Sequence, residues 1–89
     1  MKFEFDPVKS ASNKEKHGLD FVAAQALWSD DGLKEVLSKA DMAGEQRFLA
    51  IGRVQGKHWT AICTSRDEAV RIISVRRARK EEVGYYEGN

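Results

Sequence analysis

The stretch that most constrains the fold is residues 70–80, where a run of Val and Ile leads directly into a cluster of basic side chains. Val and Ile are stiff at χ1 and favour pleated surfaces, so Val70–Val75 is predicted to form a strand. Arg76, Arg77 and Arg79 follow at once and place fixed positive charge at the end of that strand. This arrangement suits phosphate binding, although a solvated corner between strand and helix is the commoner explanation of a charge run.

The length and composition of the chain limit its possible classes. Eighty-nine residues provide for one domain, residues 1–89, with a small core that a partner chain would help to stabilise. No apolar run approaches the roughly 20 residues of a membrane span, and no signal-type apolar segment follows Met1. Cys63 is the single cysteine and lies in an apolar run, which predicts a core residue rather than a nucleophile. We therefore expect a soluble, cytoplasmic protein without membrane association.

Charge is distributed unevenly between the two halves of the chain. Residues 1–45 carry six lysines against nine acidic residues, whereas residues 46–89 carry nine basic residues against five acidic ones. Arg binds planar oxyanions with a rigid fork, so arginines confined to one half indicate an anionic partner such as nucleic acid. All seven arginines lie in the second half: Arg47, Arg53, Arg66, Arg71, Arg76, Arg77 and Arg79.

Hydrophobic periodicity and turn residues predict the order of helices and strands. Asp6-Pro7 supplies an N-cap and a proline at the first helical position, and Gly18 supplies a C-cap. Residues 55–57 (QGK) are typical of a hairpin connection. The predicted segments are a strand at 2–5, helices at 7–17 and 21–28, a short strand or turn at 33–37, a loop at 39–44 in which Asp41 and Gly44 suit a turn, strands at 47–54, 58–65 and 70–75, and a helix at 77–87.

This order, β-α-α-β-β-β-α, predicts an α+β domain. Short connections between successive strands favour antiparallel pairing. We therefore expect a small antiparallel sheet of three to four strands, with the helices packed on one face.

Alternation along the strands predicts which side chains share a face of this sheet. Arg47 is expected on the face opposite Phe48, and Ser74 and Arg76 are expected to share a face with Ile72. If the helices cover the Phe48 side, the open side presents a groove with Glu45 and His17 at its rim. The residues predicted to line that groove are Arg47, Arg66, Ser74 and Arg76.

Five short motifs, in the same order and spacing, resemble those of the BrnT toxin family. Residues 5–7 (FDP) and 13–21 (NKEKHGLDF) are similar to its opening signature, N-x-x-K-H-G-(V/I/L)-x-F. The resemblance extends from Lys2 to about Tyr86, and Val75 stands where the family more often has alanine. The later motifs are Gly44-Glu45-x-Arg47 with Ile51-Gly52, then Thr64-x-Arg66, then residues 71–78 (RIISVRRA) followed by Glu82 and Tyr86.

The resemblance implies a RelE-like fold and the ribonuclease toxin of a type II toxin–antitoxin pair. Such toxins cut RNA and arrest translation, and a cognate BrnA-like antitoxin holds them inactive. The complex, expected as a heterotetramer of two toxins and two antitoxins, represses its own operon, so operator DNA is bound only through that complex.

The chemistry of metal-independent RNA cleavage fits the residues available. The 2′-OH of the substrate attacks the adjacent phosphorus, so the protein supplies a base, an acid for the leaving 5′ oxygen, and cations for the phosphorane. No Asp, Glu and His cluster has the spacing of metal ligands, and neither a metal nor another cofactor is expected. Our hypothesis assigns the scissile phosphate to Arg47 and Arg76 with help from Arg66 or Arg77, proton transfer to His17 or Glu45, backbone phosphates to Lys14 or Lys16, and further substrate contacts to Ser74 and Tyr86.

Each assignment has a structural alternative. His17 suits the C-terminal dipole of its helix as well as it suits acid catalysis. Glu45 can simply pair with Arg47, Arg77 can face solvent or the antitoxin, and Tyr86 can cover the sheet edge. The alternative for the whole chain is a non-catalytic binding module that docks a partner protein or nucleic acid through its Arg-rich half.

Overall fold

The computed structural model describes residues 1–40 and 42–88 as one α+β unit built on a central sheet. Asp41, for which a turn was predicted, lies outside the described residues. None of the described helices is long and apolar enough to cross a membrane. In chain order the elements are β1 (Lys2–Glu4), α1 (Pro7–His17), a 3₁₀ helix (Ala23–Ser29), β2 (Lys34–Leu37), β3 (Arg47–Val54), β4 (Lys57–Arg66), β5 (Ala69–Arg77) and α2 (Lys80–Glu87).

The sheet has five strands in the order β1-β5-β4-β3-β2. The pairs β2–β3, β3–β4 and β4–β5 are antiparallel, whereas β1 runs parallel to β5 with Phe3 beside Val70. The prediction of three to four antiparallel strands is therefore wrong in number and in direction. Local periodicity reports that a strand exists, but a strand of three residues carries no signal for a partner some 65 positions away.

Local sequence signals account for α1 and for the β3–β4 hairpin. Asp6 Oδ1 accepts a hydrogen bond from Val8 N at 2.9 Å, and Gly18 ends the helix in the left-handed conformation at φ 90°. Gln55 and Gly56 connect β3 to β4 with φ angles of 52° and 78°. Two successive positive φ values give a type I′ turn, whose twist matches that of the flanking strands.

The core lies between one face of the sheet and the segment that contains the 3₁₀ helix. Phe21, Ala24 and Leu27 from that segment are buried against alternate sheet residues, among them Ala61 and Val75. Burying a side chain as large as Phe21 contributes roughly 1.5–3 kcal/mol. The predicted helix at 21–28 is thus present at nearly the predicted place, as a 3₁₀ helix.

A β-bulge in β5 changes which residues share a face. Ser74 pairs with Ile62 and Ile72 pairs with Cys63, so one β4 step is matched by two β5 steps and Ile73 is the extra residue. Ile72 is therefore in the core, on the face opposite Ser74. The prediction that Ile72 shares a face with Ser74 is wrong, because strict alternation assumes no inserted residue.

The last helix packs on the face opposite the core. Glu82 of α2 contacts Thr60 and Arg76, whose side chains lie on the other side of the sheet from Ala61 and Val75. The expectation that all helices cover one face is therefore wrong. The helix also begins at Lys80 rather than at residue 77, because β5 continues to Arg77 and Arg79 is extended at φ −80° and ψ 164°.

Candidate functional site

The strand register places the arginines of three strands on the α2 side of the sheet. Arg47 pairs with Thr64, and Arg66 lies two residues beyond Thr64 on the same strand. Arg76 pairs with Thr60, four residues before Thr64, and therefore shares the same face. We call this side of the sheet the basic face. Its cationic members include Arg47, Arg53, Arg66, Arg71 and Arg76, and Ser74 lies on it as well.

The basic face has two separate ends. The positions of Arg47 and Arg76 differ by four residues along the strands, about 13 Å, and by two strand spacings, about 10 Å, which puts their Cα atoms about 16 Å apart. Half-buried Leu49, Ile62 and Ser74 form the cross-strand row between them. Arg47 and Arg76 can therefore reach one phosphate only if both side chains extend toward this row.

Arg76 is held at one end by a buried carboxylate. Its Nη1 and Nη2 donate to Glu82 Oε1 and Oε2 at 2.7 and 2.8 Å, and the side chain of Glu82 is 5% exposed against 20% for Arg76. The hydrogen bond from Arg76 lowers the pKa of Glu82 to about 2, even though burial acts in the opposite direction. The same hydrogen bond raises the pKa of Arg76. The result is a charged pair at any ordinary pH.

The other end combines three arginines with two carboxylates. Arg66 Nε lies 3.3 Å from Glu45 Oε2, and Arg71 Nη1 donates to Glu4 Oε1 at 3.4 Å. Arg71 joins this end because it pairs with Thr64, the residue that also faces Arg47. Sequence reasoning missed Arg71, since without the bulge alternation assigns it to the core side. These exposed or half-exposed pairs are individually weak, so Arg66 and Arg71 can exchange their carboxylate partners for a stronger anion.

A polar groove lies between α1 and β5. Its volume is about 180 Å³, and Lys9, Lys16 and His17 line it from the helix while Ser74 lines it from the strand. Ser74 precedes Arg76 by two residues on the same face, a separation of about 7 Å. The structure therefore brings together His17, Lys16 and Ser74, and it places Arg76 next along the strand.

Three other predicted site residues lie elsewhere. Lys14 reaches the end of its own helix, where Nζ donates to Gly18 O at 3.4 Å. Arg77 lies over the ring of Trp59 on the core side at 5.6 Å, away from Arg76. Tyr86 donates its hydroxyl to Asp30 Oδ2 at 2.8 Å and so connects α2 to the segment before β2.

Sequence reasoning also missed two polar residues that organise the site. Asn13 is buried beside the groove and hydrogen bonds to both backbone groups of Val75. Glu82 is the third residue of α2 and accepts from Arg79 N at 2.8 Å, as in a capping box. The usual sequence signal for such a box is Ser or Thr at the N-cap. Because Arg79 occupies that position here, the sequence does not display the usual capping-box pattern.

In residues 1–40 and 42–88, no three His, Cys, Asp or Glu side chains are grouped so that they could hold a metal ion. The described site combines basic side chains, the carboxylates that pair with them, one imidazole and the Ser74 hydroxyl along a groove and an adjoining sheet face. Basic side chains grouped on one face of a small α+β domain are a feature that polyanion-binding proteins use.

Comparison with known proteins defines the family. A family model described as ribonuclease toxin, BrnT, of type II toxin–antitoxin system matches residues 5–82. The match includes most of the 89 residues, and the chain belongs to this family of ribonuclease toxins, which implies an antitoxin protein as partner. No match was found among curated proteins.

Proposed function

We propose that this protein is a metal-independent endoribonuclease that cleaves RNA and inhibits translation until a BrnA-like antitoxin neutralises it. The observation that carries the proposal is the groove in which His17 and Lys16 of α1 meet Ser74 of β5, with Arg76 adjacent on the basic face. The groove brings together an imidazole, an ammonium group, a hydroxyl and a nearby guanidinium. They supply a proton-transfer group and cations, which RNA cleavage through the 2′-OH uses.

In this mechanism the scissile phosphate lies by Ser74. Arg76 stabilises the negative charge that develops on the phosphorane, and Lys16 neutralises the backbone. His17 accepts the proton of the attacking 2′-OH and delivers it to the leaving 5′ oxygen, because an imidazole serves as base and as acid near neutral pH. Glu45, assigned as the other candidate for proton transfer, lies at the far end of the basic face beside Arg66.

The second end of the basic face binds a neighbouring part of the RNA. Arg47, Arg66 and Arg71 lie across the sheet from the groove, and a single strand several nucleotides long connects the two ends. Arg47 and Arg66 therefore hold a flanking phosphate instead of sharing the scissile one with Arg76. Lys14, Arg77 and Tyr86 contact their own helix, Trp59 and Asp30 respectively, and in this scheme they do not touch the reacting atoms.

The family relationship supports the partners of this proposal. The BrnA-like antitoxin covers the toxin in a heterotetramer of two copies of each, and operator DNA binds to that complex through the antitoxin. The toxin acts on RNA in the cytoplasm. The RelE-like relationship of the fold also belongs to this proposal, and it concerns the five-stranded sheet β1-β5-β4-β3-β2.

One observation favours the alternative, a non-catalytic binding module. Arg76 already donates two hydrogen bonds to Glu82, and a module that only docks a partner would use such a pair for rigidity. The two functions differ in what happens to the bound RNA.

The deciding experiment expresses the chain alone in a bacterial host and analyses the RNA. The endoribonuclease arrests growth, leaves fragments that end in a 2′,3′-cyclic phosphate or its hydrolysis product, and is rescued by co-expression of the neighbouring antitoxin frame. A binding module produces no such fragments. Intact RNA in cells that hold folded toxin would overturn the proposal.

A further inference from the structure

The carboxylate of Glu82 is buried on the basic face and accepts several hydrogen bonds. Besides the two Arg76 nitrogens, Thr60 Oγ1 donates to Oε1 at 2.9 Å and Arg79 N donates to the same oxygen at 2.8 Å. Four donors from β4, β5 and the start of α2 thus converge on one buried group. Such convergence fixes the carboxylate in position, because any rotation breaks several charge-assisted hydrogen bonds at once.

This arrangement also fixes the guanidinium of Arg76. A bidentate contact allows one plane and one direction for the guanidinium, whereas an unpaired Arg side chain samples many rotamers. A guanidinium carries five N–H donors, of which two contact Glu82 and another, on Nη1, donates to Arg77 O at 3.4 Å. The edge formed by Nε and the second hydrogen of Nη2 is left for a second anion. The side chain of Arg76 is 20% exposed, whereas that of Glu82 is 5% exposed. Part of the Arg76 side chain is therefore accessible to a ligand from solvent.

We propose that Glu82 is a positioning residue, which holds Arg76 in the orientation that presents its remaining N–H edge to a phosphate bound beside Ser74. This inference rests on the proposed function, because it concerns how the same site is kept ready for RNA. Glu82 does not touch the substrate. It acts by removing the conformational freedom of Arg76 before the RNA arrives, which is how a preformed charged site favours the transition state.

A purely structural role for Glu82 is the rival explanation, since the residue also attaches α2 to the sheet. The two roles differ in their kinetic signature. Replacing Glu82 removes a negative charge from a face that binds RNA, which by itself strengthens substrate binding. A positioning role therefore lowers kcat without raising KM, and it lowers kcat only when Arg76 is present.

The test measures kcat and KM for cleavage of a defined RNA by the full chain and three single variants, Glu82→Gln, Arg76→Ala and Glu87→Gln, together with the Glu82→Gln/Arg76→Ala double variant. Glu87→Gln is the matched control. It makes the same change on the same helix, where Glu87 pairs with His58 at 3.0 Å and not with Arg76. Circular dichroism and the thermal midpoint establish that each variant is folded.

The expected result is a fall in kcat of up to about 100-fold for Glu82→Gln, the effect of misplacing a reacting group by an ångström. KM stays level or falls, the Glu87→Gln enzyme keeps the kcat of the wild type, and Glu82→Gln has no further effect on kcat once Arg76 is alanine. If Glu82→Gln does not fold, Thr60→Val removes one donor to the carboxylate and is expected to lower kcat about fivefold at constant KM.

A folded Glu82→Gln enzyme with the kcat of the wild type overturns the positioning role, as does an equal loss of kcat in the Arg76→Ala background. If Thr60→Val is the variant measured, an unchanged kcat has the same meaning. Full activity of the Arg76→Ala enzyme would show that Arg76 is not part of the site. That result overturns the positioning role of Glu82 but not the proposal that the protein cleaves RNA. Absence of cleavage by the folded wild type instead refutes the proposed function.

Discussion

The side chain of Asn13 in α1 hydrogen bonds to the backbone of Val75 as a neighbouring strand would. Its Oδ1 accepts from Val75 N at 3.1 Å, and its Nδ2 donates to Val75 O at 2.8 Å and to Leu19 O at 2.7 Å. β1 pairs with β5 only as far as Arg71, so the part of β5 that follows Arg71 lies at the edge of the sheet. The amide side chain satisfies both backbone groups there and positions α1, with Lys16 and His17, against Ser74.

Asn13→Ala is expected to destabilise the protein by about 3 kcal/mol, because it leaves three buried backbone groups without their partner. The measurement is urea unfolding, with Glu15→Ala on the exposed side of the same helix as the control. A midpoint within error of the wild type would show that water replaces the amide at no cost, and that Asn13 does not hold α1 in place.

Acid unfolding reports the charge on Glu82. Its pKa in the folded state is about 2, below the ordinary 4.5, so the stability that it contributes is complete above pH 4.5 and is lost as the pH falls towards 2. The shift corresponds to about 3 kcal/mol. Glu82→Gln is expected to be less stable at pH 7 and to lose less stability between pH 4.5 and 2.

Glu87→Gln serves as the reference for this titration, since it removes an acidic residue from the same helix. It is expected to keep the steep acid dependence of the wild type. Parallel curves for the wild type and Glu82→Gln between pH 4.5 and 2 would contradict the low pKa.

Cys63 is expected to be chemically inert in the folded protein. It is fully buried, and burial together with the nearby Glu35 carboxylate raises the pKa of its thiol to about 12. The thiolate is the reactive form, so at pH 8 a disulfide reagent should modify Cys63 only as fast as the chain unfolds. Complete modification of the folded protein within seconds would show that Cys63 is accessible, and the same reagent in urea gives the unprotected rate.

Tyr86 is expected to contribute to stability through Asp30. Burial acts to raise the pKa of Asp30, but hydrogen bonds from Gly32 N, Arg53 N and the Tyr86 hydroxyl, together with the charge of Arg53, lower it below its usual value. The hydroxyl of Tyr86 therefore donates to a carboxylate. Tyr86→Phe should therefore lower the midpoint of thermal unfolding, because the Asp30 carboxylate loses a hydrogen-bond donor. Tyr85→Phe, at the exposed neighbouring position, should change nothing in the same thermal unfolding assay.

Elements defined by nearby residues could be predicted from the sequence. Asp6, Pro7 and Gly18 define α1, and the turn at Gln55-Gly56 defines the β3–β4 hairpin, because capping and turn geometry depend on a few adjacent residues. The side shared by Arg47, Arg66 and Arg76 also followed from alternation, since the bulge in β5 lies before Ser74.

Features that depend on distant pairing could not be predicted. The parallel β1–β5 pair joins segments far apart in the sequence, and the bulge at Ile73 moves Ile72 to the core and Arg71 to the basic face. The position of α2 depends on Glu82 meeting Arg76 and Thr60 across the sheet. The number of residues between such partners follows no fixed rule, so a single sequence does not reveal which residues will meet.

The most direct test of the central claim is the rate at which the purified toxin, in EDTA, cleaves an RNA oligonucleotide and its counterpart with a single 2′-deoxy nucleotide at the cleavage site. The proposed mechanism uses the 2′-OH as nucleophile and Arg76 as the stabilising cation. It predicts that the RNA is cleaved and the 2′-deoxy oligonucleotide is not, and that the cleavage rate falls about 100-fold or more in Arg76→Ala. Equal cleavage of both oligonucleotides, or full activity of a folded Arg76→Ala variant, would contradict it.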